Sequence, residues 1–173
     1  MVFPISSPMK KIILCSFLFS CLAVFGADSN PVDLKFTAVD GAAIDLAQMR
    51  GKVVLIDFWA TWCPPCREEV PDVVATYQKY HDKGFEIIGI SLDQDKGALE
   101  AFIKKNGMVW PQYFDGQGWD NKISKSFGID AVPAMWLVDQ KGMLVTTNGR
   151  DDLAGQVEKL LQAGKASQPP AAN

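Results

Sequence analysis

The chain has 173 residues, 48% of them hydrophobic, which suits one domain with a real hydrophobic core. Its 17 basic and 20 acidic side chains give a formal net charge of −3, so no basic surface is predicted and we expect no nucleic-acid partner. The single histidine, His81, excludes the usual metal sites built from several histidines.

Residues 1–27 have the layout of a secretory signal peptide. They contain no acidic residue, and two lysines precede the 14-residue apolar run Ile12–Phe25, which small residues follow. A run of that length is too short for a helix across a bilayer core of roughly 30 Å. We therefore predict a cleaved signal peptide and an extracytoplasmic (periplasmic) protein. Lipidation at Cys21, a membrane tether, and translation from Met9 instead of Met1 stay open.

The rest of the chain alternates between strand and helix patterns. Strands are predicted from continuous apolar runs, and helices from apolar residues at i, i+3, i+4 and i+7. An N-terminal β-hairpin is predicted from Leu34–Val39 and Ile44–Leu46, which Asp40 and Gly41 join. The further predicted elements are the strand Val53–Phe58, the helix Glu68–Tyr80, the strand Phe85–Ser91, the helix Asp95–Asn106, the short helix Asn121–Phe127, the hairpin Ala134–Asp139 and Met143–Thr147, and a last helix capped by Asp151 or Asp152.

This order of elements predicts an α/β fold in three layers. A central mixed β-sheet with helices on both faces follows, because βαβ crossovers give parallel strands and the second hairpin adds antiparallel ones. We predict a domain over residues 28–162. Residues 163–173 lack a pattern that could pack, so they are predicted to be a flexible tail.

Two of the four cysteines, Cys63 and Cys66, lie outside the predicted signal peptide. A disulfide between them closes a very small loop and gains little chain entropy, so we expect this pair to serve chemistry. Cys63 lies at a predicted helix N-terminus, where free N–H groups and the helix dipole stabilise a thiolate. Pro64 suits the first helical turn, whereas Pro65 has no N–H to donate to the Cys63 sulfur. Cys66, one turn deeper, is expected to be less exposed and to resolve a mixed disulfide.

Half of a zinc site is the alternative interpretation of a CxxC pair. Zinc would need two more ligands, and beyond its carboxylates the predicted mature chain offers only His81. Redox chemistry is therefore favoured, and we expect neither a metal nor another cofactor.

The segment Leu55–Cys66, LIDFWATWCPPC, resembles the active-site segment of the thioredoxin superfamily, and in particular its extracytoplasmic TlpA/ResA-like branch. The similarity spans residues 32–162 and includes Pro71, a proline within the predicted first helix. It also includes Ala131–Pro133, which matches the family's cis-proline loop. The segments Gly84–Ser91 and Asp93–Asp120 resemble the strand-and-helix insertion of that branch.

The resemblance implies a thioredoxin-like fold and thiol–disulfide exchange with protein disulfide or dithiol substrates, and we expect a monomer. It implies a cis Val132–Pro133 bond that packs against Cys63 and offers its backbone to a bound peptide. Asp57 matches the buried acid that handles the proton of the deeper cysteine. Glu69 matches an active-site glutamate of ResA-like proteins, and a carboxyl held near a dithiol at low dielectric would have a raised pKa.

The residues around the motif divide between core and surface. Trp59 is predicted to lie in the core, and Trp62 in an apolar surface rim that docks substrate. The predicted substrate-contacting set is Trp62, Pro64, Pro65, Val132 and Pro133. The other tryptophans, Trp110, Trp119 and Trp136, are predicted to be packing residues, and His81 a helix-end residue.

The resemblance favours a reductase with electrons from a membrane-bound thiol donor, for example in a cytochrome c maturation-like role. A disulfide-forming oxidase or an isomerase would use the same residues, so the sequence leaves the direction open. Two other classes are disfavoured. A peroxiredoxin-class peroxidase would need a proline that is missing ahead of Cys63, and a copper-binding thioredoxin-like chaperone would need a CxxxC spacing and a distant histidine.

Overall fold

The computed structural model describes residues 30–166. The predicted signal peptide and the end of the predicted tail, residues 167–173, lie outside the described residues. None of the helices within residues 30–166 combines the length and the apolar character that crossing a bilayer requires.

The described part of the chain forms strands and helices in alternation. The strands are β1 (Lys35–Thr37), β2 (Ala43–Asp45), β3 (Val53–Trp59), β4 (Phe85–Ser91), β5 (Gln112–Tyr113), β6 (Ala134–Val138) and β7 (Leu144–Thr146). The helices are α1 (Pro64–Tyr80), α2 (Lys96–Asn106), α3 (Lys122–Ser126) and α4 (Leu153–Ala166). Short 3-10 turns lie at Leu46–Met49, His81–Lys83 and Gly118–Asp120.

The central sheet has the strand order β5-β4-β3-β6-β7 and is mixed, as predicted. Strand β4 runs parallel to both β3 and β5, while β6 is antiparallel to β3 and to β7. All residues of β3 and β4 are buried. Their sequences are continuous apolar runs because central parallel strands are covered on both faces.

Aromatic contacts from β3 show that helices cover both faces of the sheet. Phe58 packs on Phe127, directly after α3, at a ring-centroid distance of 5.7 Å. Its neighbour Trp59 packs on Phe102 of α2 at 5.4 Å. Because successive strand residues point to opposite faces, α2 and α3 lie on opposite sides. This confirms the predicted three-layer α/β fold.

The N-terminal hairpin is confirmed as a separate two-stranded antiparallel sheet, β1 with β2. It is attached to the domain through the edge strand β5, which was not predicted. The amide of Val39 donates to the carbonyl of Gln112 at 2.9 Å, and Phe36 packs edge-to-face on Tyr113. A two-residue strand has no periodicity from which the sequence could have indicated it.

Two helices extend beyond the apolar patterns from which they were predicted. Helix α1 begins at Pro64, one turn before the pattern that starts at Glu68, and this agrees with the predicted helix N-terminus at Cys63, since prolines are tolerated in a first turn where no N–H partner is needed. Helix α4 runs to Ala166, four residues past residue 162, the predicted end of the domain.

A glycine in the centre of the sheet makes room for a side chain from the edge. Gly89 of β4 pairs with Asp57 of β3 on one side and with Gln112 of β5 on the other. The Gln112 side chain crosses over Gly89, and its Oε1 accepts a hydrogen bond from Nε1 of Trp59 at 3.0 Å. A Cβ atom at position 89 would overlap the Gln112 amide. The absence of a side chain at Gly89 therefore permits a buried polar link from β5 to β3.

Candidate active site

The two cysteines lie where β3 gives way to α1, at the carboxyl ends of the parallel strands. Cys63 is the N-cap of α1, and its sulfur accepts a hydrogen bond from the amide of Cys66 at 3.2 Å. The two residues form a disulfide with a Cα–Cα distance of 5.3 Å. This is the helix-terminus position that the sequence predicted, where backbone N–H groups favour negative charge on sulfur.

The two cysteines are equally buried, each 3% exposed, so the expectation that Cys66 is the less exposed one is wrong for the disulfide form. The reason lies in the loop before β6. The Val132–Pro133 peptide bond is cis, as the resemblance implied, and the carbonyl oxygen of Val132 lies 3.7 Å from the Cys63 sulfur. This loop packs over the sulfur that was expected to face solvent.

A small cavity under the disulfide brings most of the predicted catalytic residues together. Its volume of about 10 Å³ is close to the space that one water molecule needs. The residues that line it are Asp57, Trp59, Cys66, Glu69, Val70, Val73, Met108, Pro133 and Met135. Two carboxyl groups and Cys66 thus border one small cavity.

Asp57 is a buried acid on a central strand. It is 5% exposed, and its Oδ1 atom has no hydrogen-bond partner among the described residues. Burial, and to a smaller extent the charge of Glu69, raises the pKa of Asp57 to about 7. A carboxyl with such a pKa can accept and return a proton at neutral pH.

Glu69 is half-buried on α1 and carries an ion pair that the sequence did not predict. Its Oε1 atom binds the guanidinium of Arg150, from the segment between β7 and α4. Its Oε2 atom is buried without a hydrogen-bond partner among the described residues. Burial raises the pKa of Glu69, and the Arg150 charge opposes that shift. Nothing in the sequence links positions 69 and 150.

A buried carboxylate that the sequence analysis missed holds the turn before Cys63. Both oxygens of Asp93 lie 3.1 Å from the amide of Thr61, and Oδ1 accepts from the Thr61 hydroxyl at 2.6 Å. The hydroxyl of Ser91 donates to Oδ2 at 2.8 Å. The sequence contained a signal for this contact: Asp93 follows β4, and the parallel strands β3 and β4 have their carboxyl ends at the same end of the sheet.

The surface above the disulfide has an aromatic rim. Trp62 is 48% exposed, as predicted, and Pro64 and Pro65 are exposed. Trp119 was predicted to be a packing residue, and this is wrong: it is 47% exposed and its ring centroid lies 5.9 Å from that of Trp62. The reason is its position in a 3-10 turn between β5 and α3 that directs its ring outward.

The remaining predicted residues lie away from the disulfide or in the core. Trp59 and Trp110 are buried, Trp136 packs on Phe58, and His81 caps the end of α1. In the part of the chain that the structure describes, no group of three or more His, Cys, Asp or Glu side chains is arranged to hold a metal ion.

Comparisons with known proteins agree with this geometry. Residues 26–163 match the Redoxin family. The thiol-disulfide oxidoreductase ResA of Bacillus thuringiensis subsp. konkukian is 32% identical over 126 residues, which cover 73% of this chain and 71% of that protein.

Solved structures of thiol-disulfide oxidoreductases are also similar to this chain. The thioredoxin domain of a thiol-disulfide oxidoreductase from Bacteroides vulgatus is 31% identical with a TM-score of 0.68, covering 77% of this chain and 96% of that one. A putative thiol:disulfide interchange protein DsbE from Chlorobium tepidum is 26% identical with a TM-score of 0.64, covering 79% and 95%.

Proposed function

The chain belongs to the Redoxin family and is a ResA-like thiol–disulfide oxidoreductase of the thioredoxin superfamily, and we propose that it reduces disulfides of protein substrates outside the cytoplasm. The observation that carries this proposal is the Cys63–Cys66 disulfide at the N-terminus of α1, whose Cys66 borders a cavity with two carboxyl groups. A disulfide that served only stability would connect distant segments.

The exchange runs in two steps from the reduced protein. The Cys63 thiolate attacks one sulfur of the substrate disulfide, so that a Cys63–substrate bond forms, the substrate S–S bond breaks and the first substrate thiolate leaves. The Cys66 thiolate then attacks the Cys63 sulfur, which closes the Cys63–Cys66 disulfide and releases the second substrate thiolate. Two electrons pass from the protein to the substrate, and both leaving thiolates take up protons.

Asp57 accepts the proton that Cys66 must lose in the second step. The thiol of Cys66 must lose its proton before it attacks, and it borders the same cavity as Asp57. The raised pKa of Asp57 suits a base that works near neutral pH. One water in the cavity would bridge the two groups. Glu69 acts on this step through its charge, which helps to hold the pKa of Asp57 high.

Two surface groups present the substrate to Cys63. The backbone of Val132 and Pro133 lies beside the sulfur and offers a carbonyl to an extended substrate segment. Trp62, Pro64 and Pro65 form the exposed rim on which that segment docks. A membrane-bound thiol donor then returns the Cys63–Cys66 disulfide to the dithiol. The proposed extracytoplasmic location rests on the signal-peptide pattern of residues 1–27.

The equilibrium potential of the Cys63/Cys66 pair tests the direction. Protein without residues 1–27 is equilibrated in graded dithiol buffers, and a value near −270 mV, like that of thioredoxin, is expected for a reductase. A value near −120 mV would mean that the protein forms disulfides instead. A Cys66→Ser variant, which stops at the mixed disulfide, provides the control for two-cysteine chemistry. The absence of any reversible two-electron transition would contradict the redox proposal.

A further inference from the structure

The exposed rim residue Trp62 also lines a groove, which extends away from the motif toward Trp119. Two tryptophan rings form one wall, and the groove has a volume of about 460 Å³, within the range of ligand-binding clefts. Its lining residues are Trp62, Leu92, Gln94, Gln117, Gly118, Trp119 and Asp120. We propose that this groove binds an aromatic side chain that flanks the reacting cysteine of the substrate, so that Trp119 selects among protein disulfides. This inference rests on the proposed function, because it names the substrate class of the same site.

The aromatic wall is exposed to an unusual degree. The Trp62 and Trp119 rings, with centroids 5.9 Å apart and planes inclined by 56°, contact each other and still leave about half of each residue in solvent. A folded domain gains nothing from leaving two indoles exposed side by side, whereas tryptophan is enriched among residues that dominate binding energy at interfaces.

The groove is held in shape before any partner arrives. Nε1 of Trp62 donates to the carbonyl of Leu92 at 3.2 Å, which fixes its ring. The turn that carries Trp119 is closed by Asp115, which accepts from the amides of Gln117 and Lys122. Asn121, fully buried, donates from its side chain to the carbonyl of Ser91 at 3.1 Å. A rigid surface loses little entropy on binding.

The charge of the groove favours a neutral aromatic group over a charged one. Among its lining residues only Asp120 is charged, and its carboxylate already pairs with Lys125. An acidic side chain would face that carboxylate, and a basic one would have to compete with Lys125 for it. Offset contact between aromatic rings is favourable without any charge.

The position of the groove fits a residue close to the substrate cysteine. Trp62 lines the groove and directly precedes Cys63 in the chain, so one wall of the groove begins at the residue next to the reacting cysteine. An extended chain advances about 3.3–3.6 Å per residue, so a side chain one to three residues from the substrate cysteine reaches the wall while its sulfur meets Cys63. A substrate segment that reaches Cys63 can therefore place a nearby side chain in the groove.

The experiment compares peptides of one sequence, each with a single cysteine in a mixed disulfide with a small thiol. They carry Phe, Ser or Arg two residues before or two residues after the cysteine. For the wild-type protein we expect kcat/KM for the better Phe peptide to exceed that for its Ser counterpart roughly five- to tenfold. Trp119→Ala should bring this ratio close to one, whereas Trp119→Phe should keep most of it.

The matched control is Val109→Ala, since Val109 is an exposed apolar residue (75%) outside the groove and its replacement should leave the ratio unchanged. A ratio that Trp119→Ala does not lower, or a preference for the Arg peptide, would overturn the inference. Failure of the wild-type protein to reduce even the Ser peptide would contradict the proposed function instead.

Discussion

Asp57 and Glu69 border one cavity of about 10 Å³ beneath Cys66. Each carboxyl has one buried oxygen atom without a hydrogen-bond partner among the described residues, and the pKa of each is raised, first of all by burial. Of these two carboxyl groups, Glu69 is the one that forms an ion pair with Arg150. Arg150 therefore opposes the rise in the pKa of Glu69, whereas Asp57, with a pKa of about 7, gains and loses its proton near neutral pH.

Replacing Asp57 by Asn should stabilise the oxidised protein at high pH. The folded pKa of about 7 lies above the ordinary value of 3.8, so folding disfavours the ionised form. The stability associated with protonated Asp57 is complete below pH 4 and is lost as the pH rises towards 7. We compare the free energy of unfolding of Asp57→Asn with that of the wild type at each pH. The difference, variant minus wild type, should be larger at pH 8 than at pH 4 by on the order of 2–4 kcal/mol.

Urea unfolding of both oxidised proteins at pH 4, 6 and 8 measures this difference. Carboxyls that do not interact with Asp57 titrate equally in both proteins, so their contributions cancel. A difference that does not change with pH would show that folding leaves the pKa of Asp57 at its ordinary value, contrary to this expectation.

Replacing Glu69 by Gln should shift the pH profile of exchange downwards. The charge of Glu69 contributes to the raised pKa of Asp57, so its removal should lower the midpoint of the profile by about half a pH unit. Burial, the larger cause, remains, so the midpoint should stay well above the ordinary value of 3.8. The profile is measured as single-turnover closure of the Cys63–Cys66 disulfide against pH.

The neighbouring Glu68 provides the matched control for that experiment. It is exposed on the same helix, so Glu68→Gln changes the net charge equally without touching the cavity. Equal shifts from both variants would mean that only the overall charge matters, contrary to the cavity geometry.

Replacing Arg150 by Met should leave the Glu69 carboxylate without its cation. We expect a loss of about 1 kcal/mol in free energy of unfolding at pH 8, a modest value because the pair is partly exposed. This loss should shrink as the pH falls and Glu69 becomes protonated, since a neutral carboxyl needs no cation. Arg67→Met, which removes an exposed arginine from α1, is the control and should show no such pH dependence in denaturant unfolding.

Replacing Gly89 by Ala should destabilise the protein by about 2 kcal/mol, because the new methyl group displaces the Gln112 amide from Trp59. Thermal and denaturant unfolding measure the loss. In the Gly89→Ala background, a further Gln112→Ala change should cost less than it does in the wild type. Gly97→Ala on α2 is the control and should be neutral or slightly stabilising. Additive costs at positions 89 and 112 would contradict the proposed overlap.

The fold was predictable because its strongest local signals agree with its tertiary structure. Continuous apolar runs mark β3 and β4, and the predicted bounds of β4, Phe85–Ser91, match the structure. Cap residues mark α2, where Asp95 accepts from the amide of Ala98 and Gly107 ends the helix at a φ of +68°. Strand β5 was missed because two residues carry no pattern, and its position depends on pairing with β4.

The candidate site was predictable only for residues that lie in the segment Leu55–Cys66 or in the loop that matches the family's cis-proline loop. Cys63, Cys66 and Pro133 were identified in this way, and Asp57 was identified by its match to the family's buried acid. The Arg150 partner of Glu69 is 81 positions away in the chain, and no local pattern encodes it. Trp119 was misassigned because tryptophans are usually buried, while its exposure depends on how one turn is held.

The passage of Gln112 over Gly89 has a consequence for how relatives of this protein can diverge. Positions 89 and 112 and Trp59 depend on one another. A side chain at position 89 excludes the glutamine, and without the glutamine the buried indole N–H of Trp59 loses its acceptor. We expect homologues to exchange the three residues together. A designer who grafts this sheet onto another scaffold would have to transfer all three.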